Sequence, residues 1–294
     1  MESLTGRRIV AVWARNRLAG GPARSYRRTV GAEGSAGLAW LGEDLLLLSV
    51  SPVTGWIATS VQVDHGLMGS ELVRLAAAGR ISVAADRVIV VDRVPCGDAA
   101  LDAALDSMAA ARREVQPRSW VGRPRRGIRK EYLARLEAAG ILRAERGTTL
   151  GIFPVTRWRI ADPARVAQAR ARLDAVALSS GPVEVSQAAF AGLAHAVGLG
   201  ALLYRGRGHR QARKRLEEIA AGDWTAGAVS AAASDQALAD ALAGGAPIAA
   251  DQAAMHAAHR AAVEAATAAA IHASVAAAHH AAAHDGGGGH GGHH

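Results

Sequence analysis

Residues 123–153 read RPRRGIRKEYLARLEAAGILRAERGTTLGIF, and this stretch decides the fold. The basic run Arg123-Pro124-Arg125-Arg126-Gly127-Ile128-Arg129-Lys130 leads into Tyr132, Leu133, Leu136, Ala139 and Ile141. Spacings of three and four place side chains on one helix face. The pattern predicts a helix over 125–138 that stops at Gly140. A hairpin is expected next: Ile141 to Glu145, a turn at Gly147, then Thr149 to Phe153. In such a helix Arg126, Arg129 and Leu133 share a face, so two guanidiniums extend the apolar line past the helix start. A charge beside apolar surface needs an anion. The helix N-terminus adds partial positive charge and free N–H groups at the same place. Two readings stay open there: a pocket for phosphate or carboxylate, or pairing of both arginines with Asp or Glu of the same chain.

Outward from this stretch the helical signal dominates. Leu41 to Leu48 reads as a short buried helix ending before Pro52. Val63, Leu67, Leu72, Val73 and Leu75 form a helical face stopped by Gly79. Arg80 to Val83 and Val88 to Val91 flank Ala85-Asp86, which predicts a small hairpin. Asp98 is placed to cap a helix carrying Leu101, Leu105 and Met108. Pro163 opens a helix running to Leu178. Further helices are expected over 185–204, 209–221 and 225–242. The fold class is therefore mainly α: one multi-helix globular domain over residues 37–232 with two small β-hairpins. Residues 1–36, rich in Arg, Gly, Ala and Ser without periodicity, are expected to be a disordered tail. Residues 233–294 drift into an Ala/His/Gly-rich low-complexity tail.

Composition narrows the function. The chain has 294 residues, half of them hydrophobic, with 34 basic against 26 acidic side chains and a formal charge of +8. The sequence pI is about 10.8. Such a balance favours anionic partners, membrane surface or nucleic acid. No apolar run approaches the roughly 20 residues of a membrane span. Arg15 and Arg17 interrupt the N-terminal apolar run, which argues against a signal peptide. A single cysteine, Cys96, excludes an intrachain disulfide and suits a reducing cytoplasm. Phosphate-loop, dinucleotide, zincin and nucleophile-elbow motifs are all missing, so an enzyme is not expected, and no cofactor either. Asp64-His65 is an adjacent acid/base pair of little specificity, and His195 reads as a core histidine. The second basic run, Arg205 to Arg210 with Arg213-Lys214-Arg215, reads as a solvated helix face paired with Glu217 and Glu218. In the tail, His280 and His284 stand one helical turn apart, a spacing that gives weak transition-metal affinity.

Several segments in fixed order resemble the Golgi phosphoprotein 3-like family, in its actinobacterial branch. They are Glu43-Asp44-Leu45-Leu46-Leu47-Leu48, Gly66-Leu67-Met68-Gly69-Ser70-Glu71-Leu72 and Pro95-Cys96-Gly97-Asp98. Leu136 to Leu142, Leu150 to Pro154 and Arg215 to Trp224 continue the series, and neither tail is covered. The resemblance implies a helical domain with a protruding hairpin, in a peripheral membrane protein that recognises phosphatidylinositol 4-phosphate. In eukaryotic members the headgroup is held by a Trp, an Arg shortly after it, and two basic residues one helical turn apart. The last two fall on Arg126 and Arg129. The expected Arg falls on Met68 and the Trp near Thr59 or Ser60, with Trp56 close by but out of register. Arg123, Arg125 and Trp56 are accessory candidates. The expected partners are anionic lipid headgroups at the cytoplasmic side of a membrane, with a homo-oligomer left open. A winged-helix-type nucleic-acid binder is the alternative, because a helix at 125–138 followed by a hairpin has that shape.

Overall fold

The computed structural model describes residues 37–58, 60–149, 153–223 and 225–233. The expected tails, including His280 and His284, lie outside the described residues. The architecture is mainly helical, with two separate two-stranded antiparallel sheets. At its centre is α1 (Leu41–Ser49), of which every residue is buried. It packs against α2 (Ser60–Ala77), α5 (Ile128–Ala138), α6 (Pro163–Ala177) and α7 (Val185–Ala196). Between α2 and α5 come β1 (Ile81–Ala84), β2 (Arg87–Val90), α3 (Ala99–Ala109) and α4 (Pro117–Val121). The long hairpin of β3 (Leu142–Thr149) and β4 (Phe153–Ile160) follows α5. Past α7 the chain forms α8 (Leu199–Leu203), α9 (Arg210–Gly222) and a last helical segment over 225–233.

Local chemistry sets most of these boundaries. The Asp98 carboxylate accepts from the N–H groups of Ala100 and Leu101 and caps α3. Asp162 does the same for α6 through Arg165 N, with Pro163 at the first helical position. The β1–β2 hairpin closes on two residues, Ala85 and Asp86, both at positive φ, as a two-residue turn matched to strand twist requires.

Three sequence expectations are corrected. Helix α5 begins at Ile128, not at residue 125, because Gly127 stands at φ +87 and no helix runs through that conformation. The β3–β4 arm does not turn at Gly147; Gly147 pairs with Val155 and both strands run eight residues. A Cβ at Gly147 would touch nothing, so the arm tolerates glycine without losing packing. The helix expected over 185–204 is split by Gly198 at φ +87 into α7 and α8. In addition, α4 is an element the sequence did not suggest, being five residues long.

An all-buried α1 that contains two acids needs partners for both. Asp44 is ion-paired through Oδ1 with Arg165 and through Oδ2 with Arg172, both of α6. Glu43 lies 3.5 Å from Arg135 of α5. Burial raises both carboxyl pKa values, and the arginines pull them back only in part. The neighbouring helices come close through glycine. A Cβ on Gly42 would lie 2.3 Å from Tyr132 Cε1 and 2.7 Å from Ser70 Oγ. One on Gly69 would lie 2.8 Å from Val229 Cγ2. Alanine gains about 1 kcal/mol of helix propensity over glycine, whereas overpacking a rigid core costs about 1–3 kcal/mol. Tyr132 is fully buried and its ring has no room to swing. Gly42→Ala should therefore lower the urea midpoint, and an unchanged or higher midpoint would show that the ring yields.

Candidate functional site

The loop between α4 and α5 decides where each arginine of the basic run points. Arg125 turns inward: one Nη pairs with the buried Glu71 of α2, the other lies 2.6 Å from Glu131 Oε2. That contact pins the loop to the core, so Arg125 is part of the scaffold and not an accessory to the site. Arg126, next in sequence, is left exposed, and so is Arg123. One turn into α5, Arg129 is forked onto Asp64 of α2, with Nε to Oδ1 at 2.8 Å and Nη2 to Oδ2 at 2.6 Å. Here the internal-pairing reading holds for Arg129 but not for Arg126.

Arg126 and Arg129 nonetheless line one open concavity of about 360 Å³, together with Lys130, Asp64, Ile128 and Leu133. The sequence placed the two arginines on a common helix face; the structure brings them together differently. Arg126 precedes the helix, and Gly127, in left-handed conformation, folds it back over the first turn. Gly127 offers no side-chain cap, unlike Asp98 at α3 and Asp162 at α6. First-turn N–H groups lack partners within a helix; here the Ile128 N–H donates to Arg125 O at 3.2 Å. Three cations against one carboxylate at a helix N-terminus make a locus of positive potential.

Behind this rim lies a buried ionic network joining α1, α2, α3 and α5. Arg135 reaches Asp98 at 2.9 Å and Glu131 at 3.0 Å, and Arg74 reaches Asp98 at 2.7 Å. Burial would raise the Asp98 pKa, but hydrogen bonds from Arg135 and Arg74 outweigh it and bring it down to about 2. Glu71 is pushed up to about 7, because its burial outweighs the attraction of Arg125. These groups hold the helices in register and do not open onto the concavity.

Other expected site positions fall elsewhere. Met68 is buried in the core and cannot meet a ligand at the surface. Thr59 lies outside the described residues. Trp56 is exposed, with the Arg157 guanidinium 5.9 Å from its ring centre. Its loop is tied to β4 by the Trp158 N–H donating to Gly55 O at 2.9 Å, and Trp56 does not line the concavity. Asp64 and His65 part company: Asp64 faces Arg129, while His65 is buried and its pKa is lowered by that burial. Asp64, read in the sequence only as half of an acid/base pair with His65, and Lys130, read only as the end of the basic run, are the lining residues that the sequence did not assign to this site. The signal was available for Asp64, since His65 shares the inward face with Met68 and Leu72, leaving Asp64 turned outward. Along α5 and the loop before it the arginines at 125, 129 and 135 are carboxylate-paired and Tyr132, Leu133 and Leu136 are buried, while Lys130 and Ala134 are exposed.

Among the described residues no helix is long and apolar enough to cross a membrane, and no cluster of His, Cys, Asp and Glu could hold a metal ion. No curated protein matches the chain significantly. The family model described as Golgi phosphoprotein 3 (GPP34) matches residues 41–236, which takes in α1, the concavity, both hairpins and α9. Over two thirds of its length, with the helical order and the hairpins in place, the chain belongs to the Golgi phosphoprotein 3 family.

Proposed function

We propose that the chain is a peripheral membrane protein and that the concavity at the start of α5 takes the phosphate of an anionic lipid headgroup. Phosphatidylinositol 4-phosphate is the candidate that family membership favours. The observation that carries this reading is the convergence of Arg126, Arg129 and Lys130 on one open concavity at a helix start with no side-chain cap. Phosphate oxygens accept charge-assisted hydrogen bonds from Arg126 and Lys130 and meet the N–H groups of the first turn. Arg129, fixed by Asp64, supplies a stationary positive edge. Attraction to an acidic bilayer adds the longer-range charge of exposed Arg123. We place the protein at the cytoplasmic surface of the membrane, where a lone cysteine stays reduced.

The test is co-sedimentation of the full chain with vesicles containing phosphatidylinositol 4-phosphate, set beside phosphatidylcholine vesicles. Losing one charge-assisted contact costs about 1.5–3 kcal/mol, roughly ten- to a hundredfold in affinity. Arg126→Ala should show that loss, and Arg126→Ala/Lys130→Ala should remove binding while circular dichroism is unchanged. Arg129 is a poor choice for the test, because its removal strands Asp64. Unchanged sedimentation of the double variant would overturn the reading. Tighter binding to a labelled DNA duplex than to the vesicles, lost in the same variant, would move the site to nucleic acid.

A further inference from the structure

Arg205, Arg207, Arg210 and Arg213 converge on a second concavity, of about 370 Å³, at the corner between α8 and α9. A single 3₁₀ turn, Arg207–His209, runs directly into α9. Side chains three apart eclipse one another in such a turn and are neighbours on an α-helix, so Arg207, Arg210 and Arg213 lie on one side. Two of the four guanidiniums are fixed by main-chain carbonyls. Arg205 Nε donates to Leu202 O at 2.9 Å, and Arg213 Nη1 donates to Tyr204 O at 2.5 Å and Gly206 O at 2.9 Å.

The four arginines of this corner share one hollow without a counter-charge among the described residues. Arg74, Arg125, Arg129, Arg135, Arg165 and Arg172 each meet a carboxylate. Among the described residues none of the four corner arginines does. The sequence expectation that Glu217 and Glu218 pair with this run is met only at Lys214, 3.6 Å from Glu218. Four like charges around one hollow repel, and the two fixed ones cannot swing into solvent to relieve it. An anion seated between them removes the repulsion and uses donors already aimed. Ala201 is the only apolar side chain in the lining, so the corner recognises charge and not a ring or a chain.

We propose that this corner is a second anion site, separate from the one at α5, for a phosphate group carrying at least two negative charges, as a diphosphate or a phosphomonoester. Arg207 and Arg210, exposed and without carbonyl bonds, are the ligand-gathering pair; Arg205 and Arg213 form the fixed floor.

The experiment uses the full chain carrying Arg126→Ala/Lys130→Ala, so that the α5 site is silent and the outcome here stands apart from the proposal made for that site. Calorimetric titration with inorganic diphosphate at low salt is run beside co-sedimentation with phosphatidic acid vesicles. Both are repeated after adding Arg207→Gln and Arg210→Gln. Diphosphate should bind, and the glutamine pair should weaken it about tenfold or more. Binding confined to the vesicles and lost with the glutamine pair assigns the phosphate to a lipid and equally supports the site. Failure of both probes to bind overturns the proposal, as does binding that survives the glutamine pair. A short DNA duplex held more tightly than diphosphate, and lost with the same pair, also overturns it in favour of a nucleic-acid backbone.

Discussion

Replacing Asp44 by alanine should destabilise the domain by about 3 kcal/mol, the largest effect expected of any single side chain here. Asp44 is fully buried in the middle of α1, with each carboxylate oxygen ion-paired to a different arginine of α6. Breaking a buried pair by removing one partner typically costs about 3–5 kcal/mol, since the surviving charge loses its compensation. Two guanidiniums survive here. Arg165 is the worse placed, with its side chain only 14% exposed, whereas Arg172 at 28% can recover some hydration and keeps its bond to Gly37 O. That recovery puts the effect at the lower end of the range. Urea unfolding followed by circular dichroism measures it, and a loss under about 1 kcal/mol would show that the pair contributes no more than a surface salt bridge.

Stability should also fall as pH rises between about 5 and 8, by an amount that Glu71→Gln removes. Glu71, ordinarily near 4.5, is pushed up to about 7 in the folded protein by its burial. A carboxyl whose folded pKa is raised keeps its proton in the native state after the unfolded state has released it. In that window the native state binds more protons, so stability declines with increasing pH and levels off above the folded pKa. Over this range the shift corresponds to roughly 2–3 kcal/mol. His65 works in the opposite sense: burial lowers its pKa, so its contribution grows with pH up to the ordinary imidazole value. Glu43 and Asp44 also titrate. The informative quantity is therefore the difference between wild type and Glu71→Gln across the pH series. Parallel curves would mean that Arg125 keeps Glu71 ionised throughout.

The sequence disclosed whatever local chemistry determines. Asp98 and Asp162 as caps, Ala85-Asp86 as a turn, and Gly79 and Gly140 as helix stops all depend on residues within one turn of each other. The helix-dominated class with two hairpins followed from the same cues. Long-range pairing was not legible. The partner of Arg129 is 65 positions away at Asp64, and that of Arg125 is 54 away at Glu71. Nothing in the run Arg123 to Lys130 says which arginine turns in and which stays out. That choice is made by the left-handed Gly127 together with the position of α2, and the second factor is a tertiary fact. The corner at α9 failed in the opposite way. Glu217 and Glu218 sit at helical spacing from the basic run, yet among the described residues Arg205, Arg207, Arg210 and Arg213 meet no carboxylate.

The glycines that let α1, α2, α5, α7 and the 225–233 segment close on one another have a thermodynamic consequence for recognition. Gly42 against Tyr132, Gly66 against Val197 and Gly69 against Val229 are contacts too close for a side chain, and helices packed this closely resist sliding past one another. Ligand capture at the rim is then a docking event on a preset frame. Its entropy loss is confined to the rotamers of a few long cationic side chains, about 0.5–1.5 kcal/mol for each one immobilised. Association of this kind leaves the far-ultraviolet spectrum unchanged and is limited by encounter rather than by rearrangement.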